Sequence, residues 1–79
     1  MKADNLELLE RIFREVFALP PGADLRKVRQ ISQQGWDSLA HVTLMAALEG
    51  EFGISLDTDE QLALTSFEAI RLFLEEKGL

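Results

Sequence analysis

Apolar residues return every three or four positions from Asn5 onward: Leu6, Leu9, Ile12, Phe13, Val16 and Phe17 are interleaved with Glu7, Glu10, Arg11, Arg14 and Glu15. That period predicts an amphipathic helix with Asp4 or Asn5 as its N-cap. Leu19-Pro20-Pro21-Gly22 ends it near Phe17 or Ala18, because proline lacks a backbone donor and restricts the residue before it. A second stripe, Leu39, Val42, Met45, Leu48 and Phe52, predicts a helix that starts after Asp37 and stops at Gly53. Between the two lies a connection of about twenty residues, long enough in a compact domain to imply a function or local structure of its own. Leu25, Val28 and Ile31, at spacing three, predict a partial helical turn pinned to the core, followed by the solvent-facing Ser32-Gln33-Gln34-Gly35.

Ile54-Ser55-Leu56-Asp57 reads as an extended connector anchored by its two apolar side chains, and Asp57 or Thr58 can cap a brief helix through Ala63. Thr65-Ser66-Phe67-Glu68 has the spacing of a capping box, with Thr65 as N-cap and Glu68 at the third helical position. Phe67, Ile70, Phe73 and Leu74 then face the core, and Gly78 follows the last turn. Helices joined by loops without a strand period predict an all-α fold. The expected architecture is a small four-helix bundle of three longer helices and one short one, with a long loop between the first and second. Residues 1 to 79 are expected to form one domain.

Composition narrows the chemistry. At 79 residues the chain is too short for an extensive catalytic cleft of its own. It has no Cys and one His, which excludes disulfides, thiolate metal sites and a His-rich zinc centre. A net charge of -6 argues against nucleic acid as a partner. No apolar run approaches the roughly 20 residues needed to span a bilayer, and no apolar signal core follows Met1-Lys2-Ala3-Asp4-Asn5. Neither nucleic-acid binding nor membrane insertion is expected, and a soluble, cytoplasmic monomer is. The charge is also segregated: residues 30 to 70 carry seven acids and no Lys or Arg. Acids on solvated faces would account for that, and so would a surface for basic partners.

At the head of the anionic stretch stands Gly35-Trp36-Asp37-Ser38-Leu39, a loop-to-helix junction. Asp37 is a good N-cap, and Ser38 follows at the first helical position. There the unsatisfied backbone donors and positive dipole end favour a phosphate. Ordinary capping and loop packing would explain the same residues. His41, three positions on, shares a helix face with Ser38, but nothing supplies the orienting group and oxyanion hole that a Ser-His hydrolase requires. No catalytic residue and no metal site is therefore expected, and His41 reads as exposed or partner-facing. Phe13, Met45, Phe52, Phe67 and Phe73 read as core packing.

Taken together, Gly35-Trp36-Asp37-Ser38-Leu39, Val42, Met45, Leu48-Glu49, Glu51-Phe52-Gly53-Ile54 and Thr65-Ser66-Phe67 resemble the acyl carrier proteins over nearly the whole chain. The resemblance implies that Ser38 receives 4'-phosphopantetheine from coenzyme A through a phosphopantetheinyl transferase. The arm's thiol would then carry an acyl or aminoacyl group as a thioester, which accounts for the absence of Cys. Implied partners are that transferase, an acyl- or aminoacyl-activating ligase, and acyl-transfer or condensing enzymes. They would dock on the second helix and its start, at Asp37, Leu39, His41, Val42, Met45, Glu49 and Glu51. Ala40, Thr43, Ala47 and Gly50 stand where fatty-acid carriers usually place acids, and Trp36 is similarly more typical of polyketide and nonribosomal-peptide carriers. The expectation is a specialised carrier. The alternatives are a housekeeping fatty-acid carrier and an acidic helical adaptor without a prosthetic group.

Overall fold

In a computed structural model describing residues 1–79, helix α1 spans Ala3–Phe17. Its buried side chains are Leu9, Ile12 and Phe13, three of the six apolar positions in the stripe, and Leu6, Val16 and Phe17 pack against them half-buried. The helix begins earlier than Asp4 or Asn5 would cap it. Lys2 is the N-cap and provides no side-chain bond. The start is held instead by the far end of the chain. The Lys2 N–H donates to the Leu79 carbonyl, Asn5 Nδ2 donates to the same oxygen, and the Met1 amine donates to Glu75 at 2.8 Å. At the other end Ala18 takes the left-handed conformation, φ 51°, and its N–H returns to the Arg14 carbonyl. This stop falls where the prolines required one, yet on a residue with a Cβ.

The long connection does contain hidden structure. Leu25–Lys27 form a 3-10 turn capped by Asp24, and Leu25 and Val28 are buried. Ile31 departs from the expected pinned turn, since it is 94% exposed. The reason is a one-residue antiparallel bridge between Arg29 and Ser66. Gln30 N–H donates to the Thr65 carbonyl and Phe67 N–H to that of Val28. The chain is therefore extended at Arg29, and a spacing of three no longer keeps Ile31 on the buried side.

Helix α2, Ser38–Phe52, has the predicted boundaries. Asp37 Oδ1 accepts the Ala40 N–H at 2.8 Å, and Gly53 closes the helix at φ 66°. Its apolar stripe is split. Leu44, Met45 and Leu48 are buried, whereas Leu39 and Val42 are 76% and 63% exposed. Helix α3, Thr58–Ala63, opens on a complete capping box between Asp57 and Glu60 and has no buried side chain. Helix α4, Phe67–Glu76, buries Phe67, Ile70 and Leu74, with Phe73 half-buried. Its N-cap is Ser66, whose Oγ accepts the Ala69 N–H at 3.0 Å. The capping box expected at Thr65 and Glu68 is therefore absent. The Thr65 carbonyl is taken by the bridge, the helix starts one residue later, and Ala69 occupies the third position. Glu68 pairs with Arg71 instead, at 3.0 Å.

The fold is thus the predicted all-α bundle of three longer helices and one short one. Phe13 sits at its centre, with ring centroids 5.0 Å from Phe67, 5.6 Å from Phe17 and 5.8 Å from Trp36. No polar or charged residue is buried in the core. No helix is long and apolar enough to cross a membrane. Arg71 lies between Glu68 and Glu75. Its hydrogen bond holds the Glu68 carboxyl below the usual carboxylate value, and the Met1 amine does the same for Glu75. The Glu68 bond also raises Arg71 further above its ordinary value.

Candidate functional site

The loop before α2 reverses at Gly35, whose φ of 88° is open to glycine and strained for a side chain. The next residue, Trp36, turns inward. It is 5% exposed and packs 4.8 Å from the Phe17 ring, so the junction is anchored to α1 by an aromatic cluster. Asp37 and Ser38 follow at the surface, both exposed. Capping is performed by Asp37, which leaves the Ser38 hydroxyl uncommitted at the first position of α2. The positive end of a 15-residue helix lies beneath it.

A groove of about 310 Å³ opens beside Ser38, between the start of α2 and α3. Val42 and Leu62 give it an apolar side, while Gln30, Thr58, Gln61 and Thr65 give it donors and acceptors. Apart from His41, no lining side chain is titratable. An exposed hydroxyl on a helix N-terminus, beside an open groove of mixed polarity, fits a long, flexible phosphodiester-linked arm. No group of acids, His and Cys able to hold a metal accompanies it.

Three of the residues assigned to the docking face are wholly or partly withdrawn from solvent. Met45 is 2% exposed and belongs to the core, one helical turn behind the exposed Val42. Glu49 is half-buried, and its Oε2 accepts the Leu56 N–H at 2.8 Å, tying the connector after α2 back onto the helix. His41 is half-buried rather than exposed. The Trp36 indole N–H donates to His41 Nδ1 at 3.0 Å, which leaves the ring proton on Nε2, 2.7 Å from the Gln61 carbonyl. The two rings also stack, with centroids 6.1 Å apart. Asp37, Leu39, Val42 and Glu51 are exposed.

Sequence reasoning missed Leu62, 68% exposed on α3, and Ile31, both apolar and at the surface near this end. Leu62 could have been suspected from its lack of an apolar partner three or four positions away within so short a helix.

Residues 7–74 match the family described as "Phosphopantetheine attachment site". Among curated proteins the chain is similar to acyl carrier protein 4, chloroplastic, of Cuphea lanceolata, with 30% identity over 81 residues, taking in 98% of this chain and 58% of that protein. The chain therefore spans less than two thirds of that relative's length. No solved structure matches it.

Proposed function

The chain belongs to the phosphopantetheine attachment-site family, acyl-carrier-type proteins whose prosthetic group is held covalently, and from that premise we propose that Ser38 is the attachment residue. The observation that carries this reading is the exposed Ser38 hydroxyl at the first position of α2, left uncommitted because Asp37 caps the helix. Attachment forms the Oγ–P bond as the pyrophosphate P–O bond of coenzyme A breaks. The serine proton leaves, and the nucleotide departs with the second phosphate. The transferase provides the base for this step. The helix end favours the phosphodiester, and the neighbouring Asp37 carboxylate turns it outward by like-charge repulsion. The group supplies a thiol that carries an acyl or aminoacyl load as a thioester.

The load is presented to an activating ligase and to transfer or condensing enzymes by the face that Leu39, Val42 and Leu62 share with Ser38, with the exposed Glu51 at the opposite end of α2. Exposed apolar residues supply the area of such a contact, and the acids at its rim set encounter rate and partner choice. Ala40, Thr43 and Gly50 leave the accessible side of α2 thinly charged, Ala47 packs against the core, and Glu49 is engaged internally. That supports a specialised pathway over housekeeping fatty-acid synthesis. The protein works as a cytoplasmic monomer in this reading.

The test is a mass measurement after incubation with coenzyme A and a broad-specificity transferase. One phosphopantetheine is expected on the wild type and none on Ser38→Ala. An unmodified wild type, or an increment that survives the substitution, refutes the assignment.

A further inference from the structure

Helix α3 supplies one wall of the groove at Ser38, yet none of its six residues is buried. Its flanking residues Leu56 and Leu64 are anchored in the core. The helix between them has no apolar contact of that kind. Its polar attachments are few. Gln61 Nε2 donates back to the Leu56 carbonyl, which is local, and Lys77 reaches Glu60 at 4.0 Å, an exposed pair. The attachment that crosses to α2 is the His41 imidazole on the Gln61 carbonyl at 2.7 Å. That carbonyl lies in the last turn of α3, where the helix itself offers no partner.

His41 does not choose this geometry alone. The Trp36 indole N–H occupies Nδ1, so the ring must carry its proton on Nε2 and donate outward to Gln61. Trp36 is in turn locked against Phe13 and Phe17. A continuous link therefore runs from the aromatic core through Trp36 and His41 to the surface helix. It passes within one turn of Ser38.

Resting on the reading of Ser38 above, we propose that His41 is a positioning residue. It pins α3 to α2 and so fixes Leu62, Thr58 and Gln61 relative to Ser38, holding the groove and the contact face in the form that partner enzymes meet. The imidazole touches no reacting atom in this role. It acts through the carbonyl it holds and through the tautomer that Trp36 imposes on it.

Two measurements on the full chain test this. Amide hydrogen exchange of the unmodified protein reads the pin directly and needs no modification chemistry. In His41→Ala, the Gln61 and Leu64 amides should exchange about tenfold faster, as expected for losing one or two hydrogen bonds to a locally opening segment. Amides of α1 and of the core turns of α2 should change far less. The second measurement is transfer of phosphopantetheine to Ser38. His41→Ala should raise the transferase KM for the carrier about three- to tenfold at nearly constant kcat, since the hydroxyl is intact and the face is disordered. His41→Gln, whose amide can accept from Trp36 and donate to Gln61, should recover much of both effects. Trp36→Phe removes the orienting donor together with part of the buried indole, so it should loosen α3 in the same direction, with the exchange of α1 reading the packing loss separately. It keeps the test decisive if His41→Ala does not fold.

Uniform acceleration across all helices would reduce His41 to a general stabiliser and overturn the proposal. So would unchanged α3 exchange, or an unchanged KM alongside a loosened α3. A wild type that accepts no phosphopantetheine at all would refute the Ser38 assignment instead, and the exchange data would still decide the pin.

Discussion

Glu49 offers a sharp separation between a surface acid and an internal one. Its carboxylate accepts the Leu56 N–H at 2.8 Å, and its backbone carbonyl accepts from Gly53 and Ile54. One residue thus closes the end of α2 and sets the path toward α3. A hydrogen bond to a charged acceptor contributes about 1.5–3 kcal/mol, and the lower part of that range applies here because water can reach a half-buried side chain. Glu49→Ala should therefore cost about 1–2 kcal/mol, which in a domain of this size corresponds to roughly 5–15 °C in Tm. Glu49→Gln keeps an acceptor and removes the charge, so it should lose less than half as much. Thermal and urea unfolding of the two variants, with Glu51→Gln as the exposed comparison, gives the assay. The expected order of stability is wild type and Glu51→Gln together, then Glu49→Gln, then Glu49→Ala. If Glu49→Ala unfolds with the wild type, or if Gln is as damaging as Ala, the carboxylate is not the clamp described.

Three further outcomes follow from other parts of the chain. Ala18→Gly should raise stability by about 0.5–1 kcal/mol in urea unfolding, because the left-handed cost of about 1–2 kcal/mol for a residue with a Cβ exceeds the freedom that glycine adds to the unfolded chain. Leu39→Ser and Val42→Ser should leave unfolding within about 0.5 kcal/mol of wild type, both side chains being exposed, while slowing transfer to Ser38 at low carrier concentration. The Glu68 and Glu75 carboxyls are held below the usual 4.5 by the Arg71 hydrogen bond and the Met1 amine. Their stabilisation is therefore complete above that value and fades as pH falls through their lowered values in the folded state. Both carboxylates remain open to water, Glu68 in a part-buried pair and Glu75 at the surface, so the effect is small and screened by salt. Glu68→Gln should flatten the decline of urea midpoints from about pH 5 downward, and an unchanged slope would contradict the pairing.

Local signals that depend on neighbouring residues were legible in the sequence. Asp37 before an apolar run, Gly53 after it and the prolines behind Ala18 located three helix ends, because capping and chain reversal act over a few residues. Ser38 was legible for the same reason, as the first residue after a cap. Contacts across the fold were not. Ile31 has helical spacing but follows a bridge to Ser66, and that bridge also moved the cap of α4 from Thr65 to Ser66. Met45 and Val42 lie on one stripe in sequence, and only the packing of α1 over the middle of α2 decides which of them water reaches. His41 looked free because both its partners come from outside its own helix turn. No period or motif announces a carbonyl twenty residues away.

The bridge between Arg29 and Ser66 also bears on the order in which the domain can be assembled. It fastens the loop leading into Ser38 to the opening of the final helix, through the backbone of Thr65 and Phe67. On a ribosome-bound chain, Ser38 leaves the exit tunnel while Thr65 and Phe67 are still shielded within it. The loop that presents it cannot close until they arrive. The serine is therefore available early as a residue and late as a structured site. An enzyme that recognises the finished junction would distinguish a folded carrier from a nascent one by the far end of the chain.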